Sequence, residues 1–189
     1  MLIDDKPYLT THSGRKLHFL DPSEDELSID DIALGMSREG RYSNQAPYVY
    51  RVGQHCILVS QLREKMAMGN DPKSLLQALL HDASESFLRD IPSPLKRYLP
   101  DYKNIEHIVQ SAIYRKWKLP EDLSDSIKLC DSALLVAESR DMQFEIDLTP
   151  SDMVKDLAVW VPKIIPYDEE TTYREYMTRF NYLVDKILW

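Results

Sequence analysis

Four residues of this chain have the types and the placement to hold one divalent cation: His55, the doublet His81-Asp82, and Asp131. His55 lies three residues after Val52 and four before Val59, Asp82 three after Leu79, and Asp131 four after Ile127 and three before Leu134. Each therefore falls on or beside an apolar helical stripe. A buried carboxylate without a partner costs several kcal/mol, so inward-facing acids and histidines call for a common partner, and a cation would satisfy all four. Two imidazoles with two carboxylates suit zinc, manganese, cobalt or iron better than calcium or magnesium alone. Such a cation brings the pKa of a bound water toward neutrality. Glu85 follows His81 by four residues, which on a continuous helix puts it on the same face, placed to handle a proton. Singly, each residue has a plainer reading: a hydrogen-bonded core histidine, an aspartate paired with backbone or arginine, a solvated helix glutamate. Their joint placement around the doublet favours the metal site.

The elements that must position these residues are mostly helical. Residues 8–20 put β-capable side chains on both sides of a Ser13-Gly14 turn signal and predict a short hairpin or arm. Ser28 or Asp30 caps a short helix through Ile32, Ala33 and Met36, ending near Gly40. Val49, Val52, Cys56, Val59, Leu62 and Met66 predict a longer helix over 48–68, stopped by Gly69-Asn70. Asp71-Pro72, a cap followed by a first-turn proline, opens a helix carrying Leu75, Leu76, Leu79, Leu80, Ala83, Phe87 and Leu88, and Pro92 and Pro94 forbid its continuation. Two amphipathic helices are predicted over 101–118 and 121–140, a strand or extended link over 144–148, a short helix capped at Thr149-Pro150, and a tyrosine-rich closing helix over 169–188. No repeat or linker interrupts the chain. The expectation is one all-α domain: an N-terminal arm (1–27), a core (28–140) and a C-terminal helical closure (141–189).

Bulk properties narrow the function classes. A chain of 189 residues can bury a core without disulfides or a structural zinc. Its two cysteines, Cys56 and Cys130, sit among apolar neighbours and read as buried reduced thiols. The acidic N-terminus and the lack of any apolar run near membrane-spanning length predict a soluble, cytoplasmic protein. A net charge of −8 with no basic block argues against a nucleic-acid polymer as partner, whereas a small anion could still be held by a cation and a few placed arginines or lysines.

The chain resembles the HD-domain phosphohydrolases, whose pattern is a histidine, a His-Asp doublet and a distant aspartate on a helical bundle, over roughly residues 31–140. His81-Asp82-Ala83-Ser84-Glu85, Asp90, Pro92, Pro94, Lys96 and Tyr102-Lys103-Asn104-Ile105-Glu106 look most like the bacterial 5'-deoxynucleotidases and phage dATP triphosphohydrolases. The upstream Ser13-Gly14-Arg15, Asp31-Ile32-Ala33, Arg41-Tyr42 and Val52-Gly53-Gln54-His55 resemble phage and bacterial members too. The resemblance implies an all-α HD-domain bundle with a short N-terminal hairpin, and His55, His81, Asp82 and Asp131 as ligands of one divalent transition metal. It further implies Glu85 as the acid/base residue, Asp90 as an organiser of substrate or water, and Arg41 and Lys96 as holders of phosphate oxygens. Tyr42 stands where relatives often have tryptophan, a position implied in reading sugar and base. Binuclear relatives use further histidines, and only His12, His18 and His107 are spare, which favours one metal, with room for a weakly held magnesium on a polyphosphate. The implied reaction is hydrolysis of a (deoxy)nucleoside 5'-phosphate at the α-phosphorus, with a dATP-like triphosphate first and a deoxynucleoside monophosphate as the alternative. Alarmone or other phosphoester hydrolysis, and a non-catalytic nucleotide sensor, remain open. A homo-oligomer, dimer or larger, is implied as well, and the eleven tyrosines and three tryptophans suit either such an interface or the monomer's own core.

Overall fold

Helices dominate wherever the apolar spacing is three and four, and a hairpin forms where it is not. The computed structural model describes residues 6–66, 71–145 and 149–188. Strands β1 (Tyr8–Thr10) and β2 (Lys16–His18) pair antiparallel, with Leu9 opposite Leu17, around the expected turn. The hairpin is fastened to the rest of the chain through Leu17, through Asp31 and through Glu26, which accepts from His18 N at 2.9 Å. Leu17 is fully buried in the core, and Asp31 accepts hydrogen bonds from Thr11 Oγ1 (2.8 Å), Ser13 N (2.8 Å) and Ser13 Oγ (2.6 Å).

Among the described residues nine α-helices follow: α1 (Ile29–Arg38), α2 (Val52–Lys65), α3 (Pro72–Leu79), α4 (Glu85–Leu88), α5 (Ser93–Lys96), α6 (Pro100–Lys116), α7 (Asp125–Met142), α8 (Asp152–Val159) and α9 (Glu169–Leu188). The predicted cap at Asp71 forms, its side chain accepting from Lys73 N with Pro72 in the first turn. The closing helix takes its expected span, and its Tyr176 is wholly buried in the monomer's core. Both cysteines are free and buried. No helix among the described residues is long and apolar enough to cross a membrane.

Three local expectations are corrected. The helix predicted over 48–68 begins only at Val52, because the backbone before it pairs with the end of α1: Arg41 N donates to Tyr50 O and Val52 N to Glu39 O. The helix opened at Pro72 does not run on to Leu88 but stops at Leu79. The carbonyls that would carry it further are taken by side chains, Ala78 O by His81 Nδ1 (2.8 Å), Leu79 O by the Tyr176 hydroxyl (3.0 Å) and Leu80 O by Gln110 Nε2 (2.7 Å), while Ser84 N donates to Gln110 Oε1. Finally, α8 is capped by Ser151, which accepts from Val154 N, and not by Thr149. Gly69-Asn70 and 146–148 of the predicted 144–148 link lie outside the described residues.

Two apolar clusters result. One gathers α1, α3, α6 and α9 around Ile32, Leu76, Leu79, Ile113 and Leu183; the other gathers α7 and α8 around Ile127, Leu134, Ala137 and Leu157. Helix α2 serves both, giving Val52 and Cys56 to the first and Val59 and Leu62 to the second. Two glycines permit the close approaches. A Cβ on Gly53 would stand 2.8 Å from Thr172 Cγ2, and one on Gly35 only 2.5 Å from Ser86 O, so α2 can lie against α9 and α1 against α4.

Candidate metal centre

His55 projects from the first turns of α2, His81 and Asp82 from the turn after α3, and Asp131 from α7. Ligand atoms of His55, His81 and Asp82 all lie within 4.8 Å of one another. Asp131 joins them, its Oδ1 3.0 Å from His55 Nε2 and 3.9 Å from His81 Nε2. The structure thus gathers all four residues whose placement on apolar stripes suggested a common partner.

The tautomers follow from the partners of the other ring nitrogens. His81 Nδ1 faces the carbonyl of Ala78, which can only accept, and His55 Nδ1 faces Glu138 Oε1 at 2.7 Å. Both imidazoles therefore carry hydrogen on Nδ1 and turn Nε2 toward the cluster. Among the described residues neither Nε2, though buried, has a hydrogen-bond partner in good geometry. Two buried nitrogens converging on two carboxylates form a donor set that fits a divalent transition metal. Burial works against charge on His81, yet Asp82 lifts it well above the ordinary 6.5, and burial of Asp82 is outweighed by His81, then His55 and Arg41, which hold its carboxyl below the usual range.

Glu85 arrives by a different local path from the one expected. With α3 ended, residues 81–84 form tight turns, and Glu85 N donates to Asp82 O as α4 begins. Glu85 is 5% exposed. Burial pushes its carboxyl well above the usual range, Asp82 and Asp90 add to the rise, and Lys96 opposes it. Lys96 Nζ lies 2.9 Å from Glu85 Oε1 and 2.6 Å from Glu106 Oε1, so the expected phosphate holder is shared between two carboxylates.

Beside the cluster opens a cavity of about 400 Å³ lined by Arg41, Tyr42, Asp90, Asp131, Arg97 and Phe144, among others. Arg41 sends Nη1 to 3.7 Å from Asp82 Oδ2 and Nε to 3.4 Å from Glu138 Oε2, and the Tyr42 ring meets Phe144 edge-on at 4.5 Å. Two strained backbone stretches aim this wall. Tyr42, Ser43 and Asn44 all have left-handed φ, of 59°, 51° and 58°, and Arg89, just before Asp90, has φ 79° and ψ 152°. Such conformations cost non-glycine residues about 1–3 kcal/mol each and persist only where the surroundings over-determine them. Here Asp90 N donates to Glu39 Oε1 and Tyr102 to Arg89 O, while the Tyr42 hydroxyl donates to Glu138.

Glu138, Glu106 and Arg97 are absent from the set read in the sequence. Glu138 had a signal: seven residues after Asp131 and four after Leu134, it shares their helix face and is fully buried. Glu106 stands in the 102–106 stretch that carries the resemblance, which implies no role for it, and Arg97 carries no mark. Asp31 turns toward the hairpin, outside this site.

No family model matches the chain. Over 174 residues it is 32% identical to the uncharacterized protein YfdR of Escherichia coli (strain K12), a match spanning 92% of this chain and 94% of that protein. An uncharacterized protein of Rhodobacter capsulatus is 34% identical over 119 residues, 61% of each chain.

Proposed function

We propose that this chain, which belongs to one family with the uncharacterized protein YfdR of Escherichia coli, is a metal-dependent phosphohydrolase of HD-domain type that cleaves (deoxy)nucleoside 5'-phosphates. The observation that carries the reading is the convergence on Asp82 and Asp131 of two buried imidazole nitrogens that, among the described residues, make no hydrogen bond in good geometry, at the edge of a cavity with arginines in its wall. His55, His81, Asp82 and Asp131 would hold a zinc, manganese, cobalt or iron ion. When bound, that ion supplies Lewis acidity, lowering the pKa of a water and drawing charge from a phosphate oxygen.

The chain's own residues supply the rest. Hydrolysis joins the oxygen of a water to the α-phosphorus, breaks the bond from phosphorus to O5', and delivers a proton to O5' to release a nucleoside. Glu85, whose buried carboxyl keeps a proton to higher pH than usual, is suited to hand over that proton and take it back from water. Arg41 is fixed between the cluster and the cavity and can meet phosphate oxygens with parallel N–H donors. Asp90, held by Glu39 through its backbone, faces the same space. Lys96 would reach a phosphate only by leaving one of its two carboxylates. Phe144 and the Tyr42 ring give the cavity an apolar edge for a base, and its volume falls within the roughly 300–1,000 Å³ of small-molecule sites.

Of the two substrate classes, the reading slightly prefers a triphosphate such as dATP, releasing triphosphate, on the resemblance of the Asp31-Ile32-Ala33 to Arg41 segment to the triphosphohydrolases. The alternative is a deoxynucleoside monophosphate, releasing phosphate. The deciding experiment strips the protein of metal, restores Mn²⁺, Co²⁺ or Zn²⁺, and separates the products from mono- and triphosphates of every base. Triphosphate release is expected. Failure of every metal with every nucleotide, together with unchanged metal content in Asp82→Ala, would end the reading.

A further inference from the structure

Glu138 lies outside the reacting groups, yet its two oxygens serve two separate parts of the site. Oε1 accepts from His55 Nδ1 at 2.7 Å, which sets the tautomer that presents Nε2 to the cluster. Oε2 accepts from the Tyr42 hydroxyl and lies 3.4 Å from Arg41 Nε. Glu138 is completely buried on α7, and the Tyr42 hydroxyl that reaches it belongs to the first of three successive left-handed residues. Such a run of non-glycine residues does not persist on local preference, and the bond from Tyr42 is a tether that keeps it folded back against α7. The same turn carries Arg41 and Tyr42 into the wall of the cavity.

We infer that Glu138 is a positioning residue that couples the metal ligand His55 to the strained Arg41–Tyr42 turn, so that one buried carboxylate sets both metal affinity and nucleotide affinity. The inference rests on the phosphohydrolase reading above for its substrate half and on the metal centre for the other. Carboxylates that orient a ligating imidazole are worth 10- to 100-fold in metal affinity. A substrate-facing group displaced by about an ångström costs a comparable factor in productive binding.

The experiment compares wild type, Glu138→Gln and Tyr42→Phe, each shown to be folded by far-UV circular dichroism. Zn²⁺ affinity is measured by chelator competition, and KM and kcat for dATP at saturating metal. Glu138→Gln is expected to weaken Zn²⁺ binding about 10- to 100-fold and to raise KM about tenfold. Tyr42→Phe, which releases only the turn, should keep Zn²⁺ affinity within about twofold while raising KM about tenfold with a smaller fall in kcat. Wild-type Zn²⁺ affinity in Glu138→Gln would overturn the inference alone, as would equal loss of Zn²⁺ in both variants, since a merely structural carboxylate would not separate the two effects. A wild type that binds no Zn²⁺ would overturn the metal centre and the inference together. One that binds Zn²⁺ but cleaves no nucleotide would remove the phosphohydrolase reading and the substrate half of the coupling.

Discussion

Glu138 and Glu85 are both buried carboxylates within reach of the same cluster, and their surroundings push them in opposite directions. Glu138 meets a guanidinium, an imidazole N–H and a phenol, and although burial works the other way, Arg41 and His55 hold its carboxyl below the usual range. Glu85 is desolvated beside Asp82 and Asp90, and the ammonium that opposes them is shared with Glu106. Burial is common to the two, so the difference comes from the charges and donors that face each acid. A carboxylate with two hydrogen-bond donors and a guanidinium beside it is a fixed anion; one with a shared cation is able to carry a proton.

The sharpest way to break this comparison is Glu85→Gln. It should lower kcat about 10²- to 10⁴-fold with metal content unchanged, as expected on loss of a proton-transfer group. Because the folded-state pKa of Glu85 is raised above 4.5, the wild type loses stability as pH rises from that value through the raised one, and denaturant titrations should find that decline gone in the variant. A variant with wild-type kcat would remove Glu85 from the chemistry. Glu138→Ala should act in the other currency, lowering stability by about 3–5 kcal/mol near neutral pH, because it leaves the Arg41 charge buried without its closest anion. The lowered pKa of Glu138 puts its contribution above pH 4.5 and removes it as pH falls through the folded value, so melting curves of the variant and the wild type should converge in acid. A mild cost at neutral pH would mean that Glu138 is no fixed anion.

The smallest effect is that of the metal on the melting transition. Zn²⁺ at about 100 times its Kd should add about 2.7 kcal/mol. In metal-free protein, the raised pKa of His81 contributes stability fully present below pH 6.5 and lost as pH rises through the folded value, whereas metal binding needs the proton gone. The metal-induced shift in Tm should therefore widen from pH 6.5 upward. A shift that shrinks over that range would mean the imidazoles are not ligands.

The four converging residues were legible because a polar residue on an apolar stripe is a local anomaly; the stripes of α2 and α7 formed around His55 and Asp131, whereas His81-Asp82 lies just past the end of α3. Glu138 was equally anomalous in position but lacked a neighbour in sequence to suggest its partners, which come from residues 41, 42 and 55. The assumed single helix from Pro72 to Leu88 failed for a nonlocal reason. Gln110 and Tyr176, far along the chain, take the carbonyls that helical hydrogen bonds would have used. The late start of α2 has the same origin, a backbone pairing between residues 39–41 and 50–52 that no periodicity announces.

By itself, then, the sequence determined the helical periods, the hairpin turn, the Asp71-Pro72 start and the types of the four converging side chains, since these depend on side-chain chemistry and on spacings of a few residues. Tertiary structure decided where helices break, which ring nitrogen each histidine turns toward the cluster, and which of two buried glutamates has its carboxyl pushed up and which down. Those outcomes depend on which donors arrive from distant segments, and a buried charge is governed by the few groups that reach it.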